Sequence, residues 1–354
     1  MTKNIYIEKA VKDQPLTKQI LKRNPDALVH YIERYKELPK DKISEDDYVL
    51  INYKGRFLEK CPGTQKHICC NYYVINWAVG CPYNCTYCYL HGYKNFPGII
   101  IHANTSDMLA EIDSVLSSAP DRIFRIGTGE FTDSVALEES TGFNTLVLSE
   151  ILKHKNAVVE LKTKCGNIDK ILECVIPHSA IRNPNLVFAW SLNPPEVTAA
   201  EELGAATLEE RLQAAQKCCE AGYQVSFHFD PIIDYDGWET GYRETIKKIF
   251  DYIKPEDIAW ISMGALRFNP KVKKAALEKF PETKIYYGEL LPGIDGKLRY
   301  FKPMRVEMFK QVYAWLREYA PEAMIYLCME SPEVWQEVFG NRQYRDHKMA
   351  YLFG

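Results

Sequence analysis

The feature that most constrains the fold is an alternation of strand-length apolar runs with helix-length amphipathic segments from about residue 72 onward. Such alternation is typical of parallel βα units. The number of units favours a full or partial α/β barrel over an open sheet, and functional residues are expected at the carboxyl ends of its strands. The predicted strands are 72–78, 122–127, 157–163, 186–192, 223–229, 258–262 and 324–328.

Residues 1–71 lack this alternation. They contain one helical stretch at 16–38, a charged linker and a strand-like run at 48–58. We interpret residues 1–71 as an N-terminal extension and residues 72–354 as the barrel with a C-terminal elaboration.

Composition narrows the functional classes. The chain has 354 residues and a formal net charge of -3, so any contact with nucleic acid is expected to be a local patch. The N-terminus has no apolar signal region and no long uninterrupted apolar segment follows, which predicts a cytoplasmic protein that does not enter a membrane. In that compartment 11 cysteines are not expected to form a disulfide framework. Metal ligation, redox chemistry and simple burial remain as explanations.

Three of these cysteines lie in the segment GCPYNCTYCYL, directly after the first predicted barrel strand. Cys81, Cys85 and Cys88 have the spacing C-x3-C-x2-C, which lets three thiolates converge. Structural zinc sites normally take four protein ligands, and no second ligand pair stands at zinc-finger spacing. Iron–sulfur clusters are held by thiolates, and three cysteines leave one iron open. The missing fourth ligand is therefore expected to be a substrate or cosubstrate, although three buried thiols remain the plainer alternative.

The motif C-x3-C-x-aromatic-C, with Tyr87 at the aromatic position, resembles the signature of radical S-adenosylmethionine (SAM) enzymes. Together with AGYQVSFHFDPIIDYDGWETGY, the cysteine segment is similar to the spore photoproduct lyase family, and the resemblance runs along most of the chain. It implies a partial (β/α)6 barrel of the TIM type, a 4Fe-4S cluster and SAM bound at the open iron.

The resemblance also implies roles for individual residues. Cys81, Cys85 and Cys88 match the cluster ligands, and Tyr87 and Tyr89 match two catalytic tyrosines that position SAM and relay a hydrogen atom. The remaining matches line the SAM pocket, with Lys164 pairing with the SAM carboxylate; they are Thr132, Lys164, Ser191 and Asn193. Taken singly, each could instead be a turn former, a packing residue or a solvated charge.

The segment 127–130, Gly-Thr-Gly-Glu, resembles the element in which backbone and Glu contact the SAM amino group, so Gly129 and Glu130 are expected to bind the cofactor. The family's lyases have a cysteine at the position of Glu130, where it donates the final hydrogen atom. A carboxylic acid is a poor hydrogen-atom donor. Either another thiol replaces it or the reaction differs; the candidates are Cys165, Cys328 and the Cys69–Cys70 pair.

The leading interpretation is a radical SAM lyase that repairs a thymine-dimer DNA lesion. One alternative is an enzyme of the same family acting on a different nucleic acid, nucleoside or small molecule. Another is a non-catalytic iron–sulfur or zinc protein. The resemblance implies a small flavodoxin-type or ferredoxin-type electron donor. In segment 288–305, Lys297, Arg299, Lys302 and Arg305 with interleaved Tyr300 and Phe301 predict a DNA contact, against which a solvated loop is the alternative.

Overall fold

The computed structural model describes residues 4–64, 66–175 and 185–340. Its main sheet has eight strands and curls into a half-barrel whose edge strands do not pair with each other within these ranges. Adjacent strands are parallel except at one edge, where Leu58–Lys60 pairs antiparallel with Tyr72–Ile75. The predicted partial barrel is confirmed. In spatial order the strands are Ile325–Leu327, Ile258–Ala265, Gln224–Ile232, Leu186–Ser191, Ala157–Thr163, Phe124–Gly127, Tyr72–Ile75 and Leu58–Lys60.

Helices pack against the outside of this sheet, because their apolar faces need a partner and the strands are apolar on that side. Val159, Leu161 and Phe227, for example, have no exposed surface. The helices from the barrel are Thr105–Ser118, Glu138–Thr141, Phe143–Ile151, Asp169–Val175, Pro195–Glu201, Leu208–Glu220, Trp238–Tyr252, Pro270–Lys279, Lys302–Tyr319 and Pro332–Phe339. No helix in the described part of the chain combines the length and apolar character that a membrane span requires.

A second sheet covers one side of the barrel. Its five strands include three from the N-terminal segment, but also two from beyond residue 71. The division of the chain at residue 71 stays a prediction. In spatial order the strands are Leu28–Ile32, Asn4–Glu8, Tyr48–Ile51, Ile99–His102 and Ala78–Val79.

The single helical stretch predicted at 16–38 is wrong in its second half. The helix spans only Pro15–Arg23, and Leu28–Ile32 is a strand that pairs parallel with Asn4–Glu8. Pro25 has no amide hydrogen for a helix and restricts the residue before it. The β-branched and aromatic residues that follow favour an extended chain.

The inner side of the barrel is polar, which is unusual for a strand interior. On Ala157–Thr163, Glu160 and Lys162 both line the barrel interior, as residues two apart on a strand must. Glu160 is 1% exposed and accepts hydrogen bonds from Arg125 Nη2 at 2.8 Å, Trp260 Nε1 at 2.9 Å and His228 Nε2 at 2.7 Å. These donors come from three other strands, so one carboxylate connects four strands.

The charge of Glu160 is stabilised by its neighbours. Burial alone would raise the pKa of Glu160, but Arg125 and then His228 hold it well below its ordinary value. A carboxyl group with a lowered pKa contributes stability above the pKa of the unfolded chain, and this contribution is lost as the pH falls below it.

We predict that Glu160→Gln lowers the free energy of unfolding by about 3–5 kcal/mol at pH 7, because it leaves Arg125 buried without its counter-charge. The difference from the unmodified protein should shrink by about 1 kcal/mol between pH 7 and pH 3.5. Denaturant unfolding at both pH values measures this difference in the free energy of unfolding. The control is Glu150→Gln at a half-exposed position, which should stay within about 0.5 kcal/mol of the unmodified protein. An equal loss at both pH values would contradict the role given to the charge.

Candidate active site

A cavity of about 960 Å³ lies inside the half-barrel, at the carboxyl ends of its strands. Its wall includes Lys164 and Cys328, which directly follow strand ends, and Glu130, which lies three residues after one. This is the position in which parallel α/β folds gather chemistry, because the loops there converge while the strands hold them rigidly.

The cysteine loop forms part of that wall, and all three of its cysteines line the cavity as free thiols. Gly80 enters the loop with φ of 114°, a conformation that favours glycine, and its amide donates to the Phe131 carbonyl oxygen at 2.9 Å. Within the loop, Asn84–Cys85 pairs antiparallel with Glu202–Leu203. The backbone therefore holds the loop in place on both sides.

The donor set fits an iron–sulfur cluster. Burial raises the pKa of the Cys81, Cys85 and Cys88 thiols, so bound cations are needed to hold them as thiolates. Three thiolates can bind a cluster and leave one iron for another ligand. Over residues 4–64, 66–175 and 185–340, no group of three or more His, Cys, Asp or Glu side chains is already arranged to hold a single metal ion. The fit to a cluster therefore rests on the number, type and spacing of the three cysteines on one cavity wall.

Next to this loop, a buried ion pair positions Tyr87. The Tyr87 hydroxyl donates to Glu202, and Glu202 pairs with Arg211, with neither charged side chain exposed. The Lys164 ammonium lies 5.6 Å from the centre of the Tyr87 ring. Burial opposes the charge of Lys164, but the charges of Cys85 and Glu202 hold its pKa above its ordinary value. A cation is thus kept at the cavity wall beside the cysteine loop.

Eleven of the thirteen predicted site residues line the cavity and two do not. Asn193 lies behind Tyr87, where its Nδ2 donates to Glu202 at 2.9 Å and its Oδ1 accepts from Tyr242 at 2.7 Å. Cys165 lines a separate space of about 40 Å³. The residues that line the main cavity are Cys81, Cys85, Tyr87, Cys88, Tyr89, Gly129, Glu130, Thr132, Lys164, Ser191 and Cys328.

The segment around Glu130 offers unused hydrogen-bonding groups to the cavity. The Tyr89 hydroxyl donates to the Glu130 carbonyl oxygen at 2.7 Å, which fixes the backbone there. Thr132 is 6% exposed, and in the described part of the chain its hydroxyl has no hydrogen-bond partner. A buried hydroxyl without a partner is costly unless a ligand satisfies it, so this wall is suited to a polar ligand.

Sequence reasoning missed a second polar group on the opposite side of the cavity. It comprises Lys162, Asp230 and Arg267, which all line the cavity wall. Arg267 donates to both Asp230 oxygens, at 3.0 and 3.2 Å. The available signal was a set of polar residues at alternate positions within otherwise apolar strands, as in the runs AVVELKT and YQVSFHFD.

The candidate thiols differ in their access to the cavity. Cys70 and Cys328 line it, as does Cys61, which sequence reasoning missed, whereas Cys69 is not part of its wall. Burial raises the pKa of Cys328 well above its ordinary value, and the Arg267 Nη2 donates to its sulfur at 3.5 Å. A hydrogen bond from Cys70 lowers the pKa of Cys69 to about 7, while the pKa of Cys70 is raised well above its ordinary value.

The segment 288–305 forms an antiparallel hairpin, Leu290–Pro292 with Leu298–Tyr300. Each of the four cations of the segment is paired with a carboxylate of the protein. Tyr300 is only 1% exposed, so it is not available for stacking on a base, whereas Ile294 is 73% exposed. The ion pairs are Lys297 and Arg299 with Asp295, Lys302 with Glu337 and Arg305 with Glu330.

A half-barrel with a three-cysteine loop at its strand ends defines the radical SAM class of enzymes. The family model for spore photoproduct lyase matches residues 63–326, and the chain belongs to that family. Spore photoproduct lyase of Geobacillus sp. (strain Y412MC61) is 28% identical over 246 residues, 68% of either chain. That of Clostridium acetobutylicum is 26% identical over 325 residues, 88% of this chain and 90% of the relative.

Solved structures show the same fold. A spore photoproduct lyase variant with bound AdoMet, which is SAM, and dinucleoside spore photoproduct aligns with a TM-score of 0.80 at 20% identity. The alignment covers 92% of this chain and 98% of that one.

We predict that Arg211→Met lowers the free energy of unfolding by about 3–5 kcal/mol, because it leaves the Glu202 carboxylate buried and unpaired. In the double variant Arg211→Met/Glu202→Gln, part of that loss should be recovered, since neither charge of the ion pair remains. The recovery should be incomplete, because Lys164 loses the Glu202 charge that supports its own. Thermal and denaturant unfolding of the single and double variants measure the coupling. Strictly additive losses would contradict this assignment.

Proposed function

We propose that this protein is a radical SAM lyase that repairs the spore photoproduct, a thymine-dimer lesion of DNA. The observation that carries the proposal is the three-cysteine loop beside the Lys164 ammonium, at the strand ends of a member of the spore photoproduct lyase family. The same cavity leaves room beyond the loop for a second ligand.

Different residues would bind the cluster and SAM. Cys81, Cys85 and Cys88 would hold a 4Fe-4S cluster which, when reduced, supplies the electron that cleaves SAM to methionine and a 5′-deoxyadenosyl radical. Lys164 would donate a charge-assisted hydrogen bond to the SAM carboxylate.

Other predicted groups would bind the polar parts of SAM. Ser191 and Gly129 lie on the cavity wall, and the Thr132 hydroxyl has no hydrogen-bond partner among the residues that the structure describes. Tyr87 would present its ring to the cofactor in a fixed orientation, with Asn193 holding Glu202 behind it. Enclosure by the barrel would keep water and oxidants away from a radical.

A thiol must return a hydrogen atom at the end of the repair, and only the protonated thiol can do so. Cys328 and Cys70 suit this role, because both line the cavity and burial favours the protonated form of each. Tyr89, between the cysteine loop and Glu130, would serve the hydrogen relay. Cys165 remains a predicted donor, but it lines a different space.

The lesion in DNA would be presented to the cavity near segment 288–305. Because the cations of segment 288–305 are paired with carboxylates of the protein, exposed apolar side chains such as Ile294 and Phe301 would make most of the contact. A small electron-donor protein of the flavodoxin or ferredoxin type would supply the electron to the cluster.

A second candidate is an enzyme with the same radical machinery and a different nucleic-acid, nucleoside or small-molecule substrate. The observation that favours it is Glu130 at the position where the family's lyases have the donor cysteine. To separate the two, anaerobically reconstituted, reduced protein is given SAM and DNA carrying the lesion. Restored thymines are expected; SAM cleavage without restoration would favour the different substrate.

We predict that replacing Cys81, Cys85 and Cys88 together by Ser abolishes the brown colour and SAM cleavage while the fold is kept, because the backbone pairings of the loop do not require a metal. Absorbance spectra, 5′-deoxyadenosine formation and circular dichroism measure the three effects. Loss of the folded state would indicate a structural metal site instead and would contradict a catalytic cluster.

We predict that Cys328→Ala lowers thymine restoration by about tenfold or more while 5′-deoxyadenosine formation continues, because the radical forms but receives no hydrogen atom. Cys70→Ala is the matched test of the second cavity thiol. Cys218→Ala, a buried helix position far from the cavity wall, is the control. Unchanged restoration in both Cys328→Ala and Cys70→Ala would contradict a donor among these two thiols.

A further inference from the structure

Two lysines two residues apart, Lys162 and Lys164, line the same cavity but belong to different charged groups. Lys164 interacts electrostatically with Cys85 and Glu202, on the side of the cysteine loop. Lys162 interacts with Glu160, Asp230 and Cys328, on the other side, and with Glu130, which also influences Cys88 and so lies between the two groups. The two groups divide the cavity into a half beside the cysteine loop and a half beside Cys328.

The Lys162 ammonium has no hydrogen bond or ion pair within 4.0 Å among the residues that the structure describes. The Glu130 carboxylate likewise has no hydrogen-bond partner in the described ranges. Each is close enough to influence the other electrostatically, yet they are more than 4.0 Å apart. A cationic donor and an anionic acceptor therefore stand on the wall of one cavity, without hydrogen-bond partners among the described residues and not in contact with each other.

Two more deeply buried groups on the Lys162 side also lack partners. Tyr72 is 6% exposed and Arg125 is 3% exposed. Within residues 4–64, 66–175 and 185–340, the Tyr72 hydroxyl and Arg125 Nη1 have no hydrogen-bond partner. Both residues line the cavity. Unsatisfied donors of this kind are costly unless a ligand oxygen satisfies them, so this half of the cavity is suited to an acceptor-rich ligand.

Lys162 and Glu130 together favour some ligands over others. A cationic donor next to an anionic acceptor complements a group that carries a carbonyl oxygen beside an N–H. The imide edge of a thymine ring has this arrangement. A phosphate would suit Lys162 but would be repelled by Glu130, and a second carboxylate would be repelled in the same way.

We propose that Lys162 and Glu130 form the base-recognition site of this enzyme: Lys162 donates to a carbonyl oxygen and Glu130 accepts from the imide N–H of a thymine in the lesion. The inference rests on the proposed function and deepens it. In this proposal the Glu130 carboxylate contacts the substrate and not the SAM amino group. Recognition of the base would explain why a carboxylate stands where the family's lyases have the donor cysteine.

The test uses the anaerobically reconstituted holoenzyme with SAM and titrates it with dinucleoside spore photoproduct. Lys162→Met should weaken dinucleoside binding by about tenfold and leave SAM binding within about twofold, because a charge-assisted hydrogen bond to the base is lost. Lys164→Met should weaken SAM binding by about tenfold and leave dinucleoside binding within about twofold. Exposed Lys170→Met is the control and should change neither.

A modified ligand tests Glu130. Methylation of the imide nitrogens of the dinucleoside removes the N–H, so binding to the unmodified protein should fall by about tenfold. In Glu130→Ala this penalty should largely disappear, because no acceptor remains and the methyl group has room. A residue with a purely structural role would not change the discrimination between the two ligands.

The outcomes separate the two proposals. If the unmodified holoenzyme cleaves SAM but does not bind the dinucleoside, the proposed function fails and the base-recognition site fails with it. If it binds the dinucleoside but Lys162→Met binds equally well, only the base-recognition site is overturned. Should Lys162→Met misfold, Lys162→Arg keeps the charge and the donor and is expected to bind within about threefold; a much larger loss would overturn the proposal.

Discussion

The buried carboxylate of Glu160 is the interaction on which the site depends. It accepts hydrogen bonds from Arg125, His228 and Trp260, which come from three other strands of the half-barrel. An open sheet lacks the continuous pairing that closes a full barrel, so its curvature must be fixed by side chains across the interior. Here the Glu160 carboxylate and its donors do this, and Glu160, Arg125 and His228 form part of the cavity wall.

The Glu160 carboxylate also explains why the cavity can hold charges. A lysine in an apolar interior would lose its proton, because burial disfavours the charged form. The carboxylates Glu130 and Glu160 counter that effect at Lys162, and Glu202 does so at Lys164. The strand Ala157–Thr163 and the residue that follows it thus place two stable cations, Lys162 and Lys164, on the wall of one cavity.

Much of this arrangement follows from local patterns in the sequence. The βα alternation predicts the barrel, and the cysteine spacing with Tyr87 predicts the family and the cofactors. The inward polar residues Lys162 and Asp230 are harder to predict, because their strands are otherwise apolar and periodicity alone does not tell which face is the interior. Which carboxylate neutralises which cation depends on contacts between residues far apart in the chain, as with Glu202 and Arg211.

The positions of the thiols and the structure of the N-terminal segment also depend on tertiary contacts that local sequence patterns do not show. Cys165 and Cys328 look equivalent as residues that follow strands, yet only Cys328 lines the main cavity, because the chain turns differently after each strand. The run at 16–38 has helical periodicity, but Pro25 ends the helix and pairing with Asn4–Glu8 makes the remainder a strand. Tertiary pairing outweighs local propensity there.

The most direct test of the account is an anaerobic crystal structure of the reconstituted protein with SAM and dinucleoside spore photoproduct. The account predicts the SAM carboxylate within hydrogen-bond distance of Lys164, and a thymine imide edge between Lys162 and Glu130. A structure with SAM on the Lys162 side, or with the dinucleoside outside the cavity, would contradict it.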